Sequence, residues 1–115
     1  MSEIKSVKDD PKQNLPLTQD FQKQWIAGFF DAEGSATKKD TEQPMLSIYS
    51  TDKEKIHLIQ ELLDELSIHS GIYLPDDRTV YQLFITGGAN IRRFFQTIPI
   101  RHPSKINKIR AFFDS

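Results

Sequence analysis

Between Trp25 and Gly34 the chain reads WIAGFFDAEG, and no other stretch limits the fold as much. Phe21, Trp25, Ile26, Phe29 and Phe30 recur at helical spacing, Thr18 is a candidate N-cap, and the run stops at Gly34, so a helix is expected from near Thr18 to that glycine. Ala27, Gly28 and Ala32 stand where most helices carry bulk, which lets another backbone approach closer than the usual axial separation of roughly 8–10 Å. The chain has one such helix. Either these small residues pack against the chain's own sheet and last helix, or they meet a second copy across a two-fold axis. Asp31 and Glu33 fall at the negative end of the helix dipole, where carboxylates want a compensating cation. A magnesium ion held by hard oxygen ligands would supply one, and so would a neighbouring lysine.

Downstream, the hydrophobic period switches between that of strands and that of helices. Leu46 and Ile48 alternate with Ser47, Tyr49 and Thr51, the pattern of a half-buried strand paired to a weaker one just after Gly34. Thr51 with Glu54 forms a capping-box pattern, and Ile56, Ile59, Leu63 and Leu66 mark one face of a helix running to about Ser67. Gly71 to Leu74 and Val80 to Thr86 read as two more strands around a turn at Pro75, Asp76 and Asp77. Ile91, Phe94, Phe95 and Ile98 predict a third helix, and Pro103 opens a last one carrying Ile106, Ile109 and Phe113. This order makes an α+β domain, an antiparallel sheet with helices on one face and the other face open.

With 115 residues the chain suits one domain. Residues 1–16, polar and carrying two prolines, are expected to form a flexible arm ahead of a single domain over 17–115. Cysteine is absent, which excludes disulfide scaffolds, cysteine-ligated metal centres and thiol catalysis. No apolar run approaches the ~20 residues of a membrane span, and an intracellular protein is expected. The formal net charge of -1 hides an asymmetry: residues 1–77 hold 8 Lys/Arg against 15 Asp/Glu, residues 78–115 hold 7 against 1. A basic C-terminal third fits an anionic partner, or simply solvated helix surfaces. His57, His69 and His102 lack metal-ligand spacing, Gly87-Gly88 lacks a phosphate-loop lysine, and Met45 and the phenylalanines are expected in the core.

Ile26 to Gly34 closely resembles the LAGLIDADG signature of homing endonucleases, in the variant form AGFFDAEG, and the element order around it matches that family's αββαββα domain from about Leu17 onward. The resemblance implies a homodimeric, magnesium-dependent enzyme that hydrolyses phosphodiesters in double-stranded DNA at a specific site, associated with intron or intein mobility. It further implies a dimer interface through Ala27, Gly28, Asp31 and Ala32. Glu33 would be the metal ligand, joined by the backbone carbonyl of Ala32, with Asp31 mainly structural. Lys105 resembles the family's basic catalytic residue from the C-terminal region, and Asp52 stands where a water-positioning polar residue often occurs.

The open sheet face is the expected DNA-binding surface. Alternation turns Ser47, Tyr49 and Thr51 outward, and Gln82 with them if Leu83 and Ile85 point inward. A β-ribbon can enter the major groove, where Gln82 suits an adenine edge, Tyr49 and Tyr73 offer hydrogen bonds and apolar contact, and Lys38, Lys39 and Arg78 at the hairpin ends reach phosphates. Tyr49 and Tyr73 are equally compatible with ordinary solvent-facing aromatics. Three other functions share these features: a catalytically inactive LAGLIDADG-like DNA-binding protein, an RNA maturase assisting intron splicing, and a plain α+β dimerisation module.

Overall fold

The computed structural model describes residues 18–38, 43–75 and 79–114. The expected N-terminal arm, the turn residues Asp76 and Asp77, and the candidate contacts Lys39 and Arg78 lie outside the described residues. The elements follow the expected order: α1 (Gln19–Glu33), β1 (Gly34–Thr37), β2 (Met45–Ser50), α2 (Lys53–Glu65), β3 (Gly71–Tyr73), β4 (Tyr81–Thr86), α3 (Gly88–Thr97) and α4 (Pro103–Asp114). None of the described helices is long and apolar enough to cross a membrane.

The four strands form one antiparallel sheet in the order β1-β2-β4-β3. The first hairpin pairs Gly34 with Ile48 and Thr37 with Met45, and β2 lies against β4 with Leu46 opposite Ile85 and Ile48 opposite Leu83. Because side chains alternate along a strand, this register sends Ala36, Leu46, Ile48, Leu83 and Ile85 to one face together. There they are buried against Ile26 and Phe30 of α1, Ile56, Ile59, Leu62 and Leu63 of α2, Ile91 and Phe94 of α3 and Ile109 of α4. Phe30 and Phe94 meet edge to face, ring centroids 5.2 Å apart, and tie α1 to α3 beneath the sheet.

Chain ends and turns explain three local departures from expectation. The N-cap of α2 is Asp52 and not Thr51: the Asp52 carboxylate accepts from Lys55 N at 3.1 Å, while Ser50 Oγ accepts from Asp52 N at 3.0 Å. α2 ends at Glu65 because Ser67 turns the chain with φ 65°, short of the expected Ser67 end. Met45 sits on the outer sheet face opposite Thr37 and Thr86, so it is not a core residue.

At Gly34 the chain passes from α1 into β1 with no residue between them. Its backbone is ordinary extended chain, φ -90° and ψ 166°. Space is what demands glycine here, because a Cβ would overlap the Phe30 ring and lie 2.6 Å from the Phe30 carbonyl oxygen. Gly71 has the same constraint from the Phe84 ring, which lies across it on the outer face.

Candidate functional site

The last turn of α1 gathers the polar residues of the signature. A helix ends with carbonyl groups that have no partner within it. Here Lys105, on the first turn of α4, donates from Nζ to the carbonyl of Phe30 at 2.9 Å and to that of Asp31 at 2.6 Å. Its ammonium also lies 5.6 Å from the centre of the Phe30 ring. The cation that the sequence demanded at this dipole end is therefore present as a lysine of the same chain. Lys105 was expected beside a scissile phosphate; its ammonium donates here to the backbone at the end of α1.

Asp31 is turned to the other side. Its Oδ2 accepts from Arg101 N at 2.9 Å, and its Oδ1 from Arg101 N at 3.2 Å and His102 N at 3.1 Å. These amides belong to the two residues just before α4, so the half-buried Asp31 joins the end of α1 to the start of α4 within the chain. Glu33 differs. It is exposed, and among the described residues its carboxylate makes no hydrogen bond or ion pair. It lines an open cavity of about 330 Å³ with Phe29, Tyr49, Ser50, Thr51 and Val80. Tyr49 and Thr51, expected on the DNA-binding sheet face, thus share a cavity with Glu33, while Ser50 and Val80 were not singled out from sequence. Asp52, capping α2, is not among these walls.

The small residues of α1 divide between two faces. Gly28 and Ala32 are exposed, and a Cβ built on Gly28 meets nothing within 4 Å. Ala27 was expected beside them, but it is 4% exposed and packed into the chain's own core with Ile26 and Phe30. Helical geometry gives the reason, since Ala27 shares the inward arc of Ile26 and Phe30 while Gly28 falls 100° further round. Gly28 and Asp31 border a shallow hollow of about 130 Å³ with Gln24, Ala27, Pro99 and Arg101.

On the outer sheet face Gln82 stands between Tyr49 on β2 and Tyr73 on β3, directly opposite both. The two tyrosines are exposed. Ser47 was expected to be available on this face; it points that way but is 1% exposed, with its Oγ accepting from Gln82 Nε2 at 2.9 Å. The longer glutamine lies over it. Phe84, half-buried on the same face, is a further member that strand alternation implied and a default core assignment concealed. Lys38 is exposed at the end of β1. Among the described residues, the basic side chains of the C-terminal third belong to the helices: Arg92, Arg93, Lys105, Lys108 and Arg110 are on α3 and α4, and Arg101 leads into α4; Lys108 lines an open cavity with Lys38.

The same fold occurs in proteins of known structure. A crystal structure of the homing endonuclease I-CvuI, in complex with an I-CreI target in the presence of Mg, superposes with a TM-score of 0.63 at 17% identity, over 80% of this chain and 63% of that one. Full-length DUF199/WhiA from Thermatoga maritima superposes with a TM-score of 0.64 at 22% identity, over 86% of this chain and 34% of that one. In sequence, the chain is 34% identical over 104 residues to homing endonuclease I-ApeI of Aeropyrum pernix, a match spanning 90% of this chain and 43% of that protein. The chain therefore spans less than half of that relative's length. The LAGLIDADG-like domain matches residues 20–99, which include all but the first residue of α1, the sheet, α2 and α3. With the motif at the end of α1 and the antiparallel sheet beside it, the chain belongs to the LAGLIDADG-like domain family.

Proposed function

We propose that the chain acts as one subunit of a homodimeric, divalent-cation-dependent endonuclease that cuts double-stranded DNA at a specific site. The observation that carries this reading is the tip of α1. Among the described residues, an exposed carboxylate without a partner sits there next to a carbonyl that Lys105 leaves alone, on a helix whose Gly28 has no side chain within 4 Å of where a Cβ would stand. Glycine within a helix costs about 1 kcal/mol relative to alanine, and the described fold draws no packing advantage from it. A second copy of α1 lying across Gly28 and Ala32 supplies the missing reason.

Glu33 and the Ala32 carbonyl are hard oxygen donors of the kind magnesium and calcium prefer. Among the described residues no cluster of three acidic or imidazole groups exists to hold an ion alone. They fit the ion as part of a shell that water, DNA phosphate and the second subunit complete. The homing endonucleases of known structure that share this fold include forms prepared with Mg or Ca and DNA, in keeping with that requirement. When bound, the cation supplies an activated water and a counter-charge for the leaving oxygen. The chain's own residues do the rest. Glu33 fixes the ion relative to α1, Thr51 and Ser50 wall the cavity beside it, and the row Tyr49, Gln82 and Tyr73 presents polar edges and rings to bases in the major groove. Lys38, with Lys39 and Arg78, provides phosphate contacts at the hairpin ends. Ser47 serves this surface by holding Gln82 rather than by touching DNA.

The test is selection from a randomised duplex library with Mg2+, recovering cleaved and bound molecules separately. Wild type is expected to yield cleaved duplexes sharing one sequence, and Glu33→Gln to bind that sequence and leave it intact. Bound but uncut duplexes from wild type select the inactive DNA-binding reading. Glu33→Gln cutting as fast as wild type would falsify the assignment of the metal ligand.

A further inference from the structure

Two helix ends meet between α1 and α4, and each is matched by a charge from the other. The Asp31 carboxylate, in the last turn of α1, accepts the amide hydrogens of Arg101 and His102 where α4 begins. The Lys105 ammonium, in the first turn of α4, donates to the Phe30 and Asp31 carbonyls where α1 ends. Anions are favoured at helix N-termini and cations at C-termini, so both arms of this exchange act in the favourable sense. The residues involved are 70 to 75 positions apart in the chain. The Ala32 carbonyl and Glu33 are the next groups beyond this exchange.

We propose that Asp31 and Lys105 form a reciprocal clamp that fixes the Ala32–Glu33 tip of α1, and that Lys105 influences cleavage through this clamp and not by touching a scissile phosphate. The inference rests on the reading of Ala32 and Glu33 as metal ligands. An ammonium has three donors. Two are held by carbonyls at 2.6 and 2.9 Å on a half-buried side chain, so drawing the ammonium away to a phosphate strips the Asp31 carbonyl of this bond and leaves the Phe30 carbonyl with the Gly34 amide alone. Asp31 has no positive charge to offer a phosphate, yet it closes the same joint. Both residues are thus positioning residues with a shared point of action. Reactions are steep in geometry, and a displacement of about 1 Å costs up to roughly a hundred-fold in rate.

The test uses the full chain with three variants: Asp31→Asn, Lys105→Met, which keeps an unbranched side chain without the ammonium, and the double variant. On a duplex recovered with wild type, each single variant is expected to slow single-turnover cleavage roughly ten- to a hundred-fold while leaving the dissociation constant for DNA within about three-fold. The double variant is expected to be no slower than the slower single one, because groups acting through one joint are not additive. Rate losses that multiply, or an Asp31→Asn enzyme as fast as wild type, overturn the clamp and return Lys105 to the phosphate. Asp31→Asn alone keeps the question open to measurement if Lys105→Met does not fold.

A second readout needs no cleavage. Mn2+ added to isotopically labelled protein is expected to broaden the amide signals of Ala32, Glu33 and Gly34 in wild type, and to broaden them less or at other positions in both single variants. Variants that match wild type overturn the clamp alone. Wild type that shows neither cleavage nor broadening removes the metal-site reading beneath it.

Discussion

α1 and α2 are similar in length and both pack beneath the sheet, yet they are used differently. In the 13 residues of α2, five side chains are buried, Ile56, Leu58, Ile59, Leu62 and Leu63. In the 15 residues of α1, three are buried, Ile26, Ala27 and Phe30. Trp25 and Phe29 pack together beside that stripe, rings 5.8 Å apart. The rest of α1 presents Phe21, Gln24, Gly28 and Ala32 to the outside, a run at helical spacing with little charge. α2 shows polar residues on its outward side, among them Lys53, Glu54, His57, Glu61 and Asp64. A helix that serves only its own core ends up like α2; the weakly charged outer face of α1 is what the proposed second copy would cover.

The largest effect is expected in α2. Leu63→Ala empties a fully buried position and should lower stability by about 2–5 kcal/mol in urea unfolding at fixed protein concentration. The oligomeric state of the fraction still folded should not change. Gly28→Leu should do the reverse. Among the described residues nothing beyond the helix's own backbone stands within 4 Å of the new Cβ, so helix content and thermal unfolding of the monomer should be preserved. Sedimentation equilibrium should show a dimer weakened about ten- to a hundred-fold, the equivalent of 1–3 kcal/mol of overpacking. A wild-type chain that sediments as a monomer at tens of micromolar (roughly the range of weak association) would end the distinction between the helices. Phe21→Ser, at the half-exposed start of α1, should alter monomer stability by no more than about 0.5 kcal/mol, read from the same urea curves.

Much of this was legible in the residues because the period changes are sharp. The order of helices and strands follows from switches at Gly34, near Asp52 and at Gly87, and the outward direction of Tyr49 and Gln82 follows from alternation with Ile48 and Leu83. What escaped lies one step beyond periodicity. Thr51 and Glu54 have the spacing of a capping box, but Asp52 wins the cap because its carboxylate reaches Lys55 N from the next position. Ala27 and Gly28 are equally small, and only the angular position of Ile26 and Phe30 decides which of them turns inward. Ser47 points outward as alternation requires and is still buried, because a cross-strand neighbour long enough to cover it comes from 35 residues away. Lys105 was found as a basic residue of the right region, but its acceptors are backbone carbonyls, and no side-chain pattern announces those.

The absence of any linker between α1 and β1 has a mechanical consequence. Glu33 closes the helix and Gly34 opens the strand, and the overlap that any larger residue would create with Phe30 keeps that corner from being relaxed by substitution. Helix and sheet must then tilt together. In the proposed dimer joined through α1, the offset between the two proposed cuts in opposite strands would become a ruler set by how closely the two glycine-bearing helices cross. Altering the hairpin tips would change which sequence is read and leave the stagger of the ends unchanged, while altering the crossing would change the stagger first.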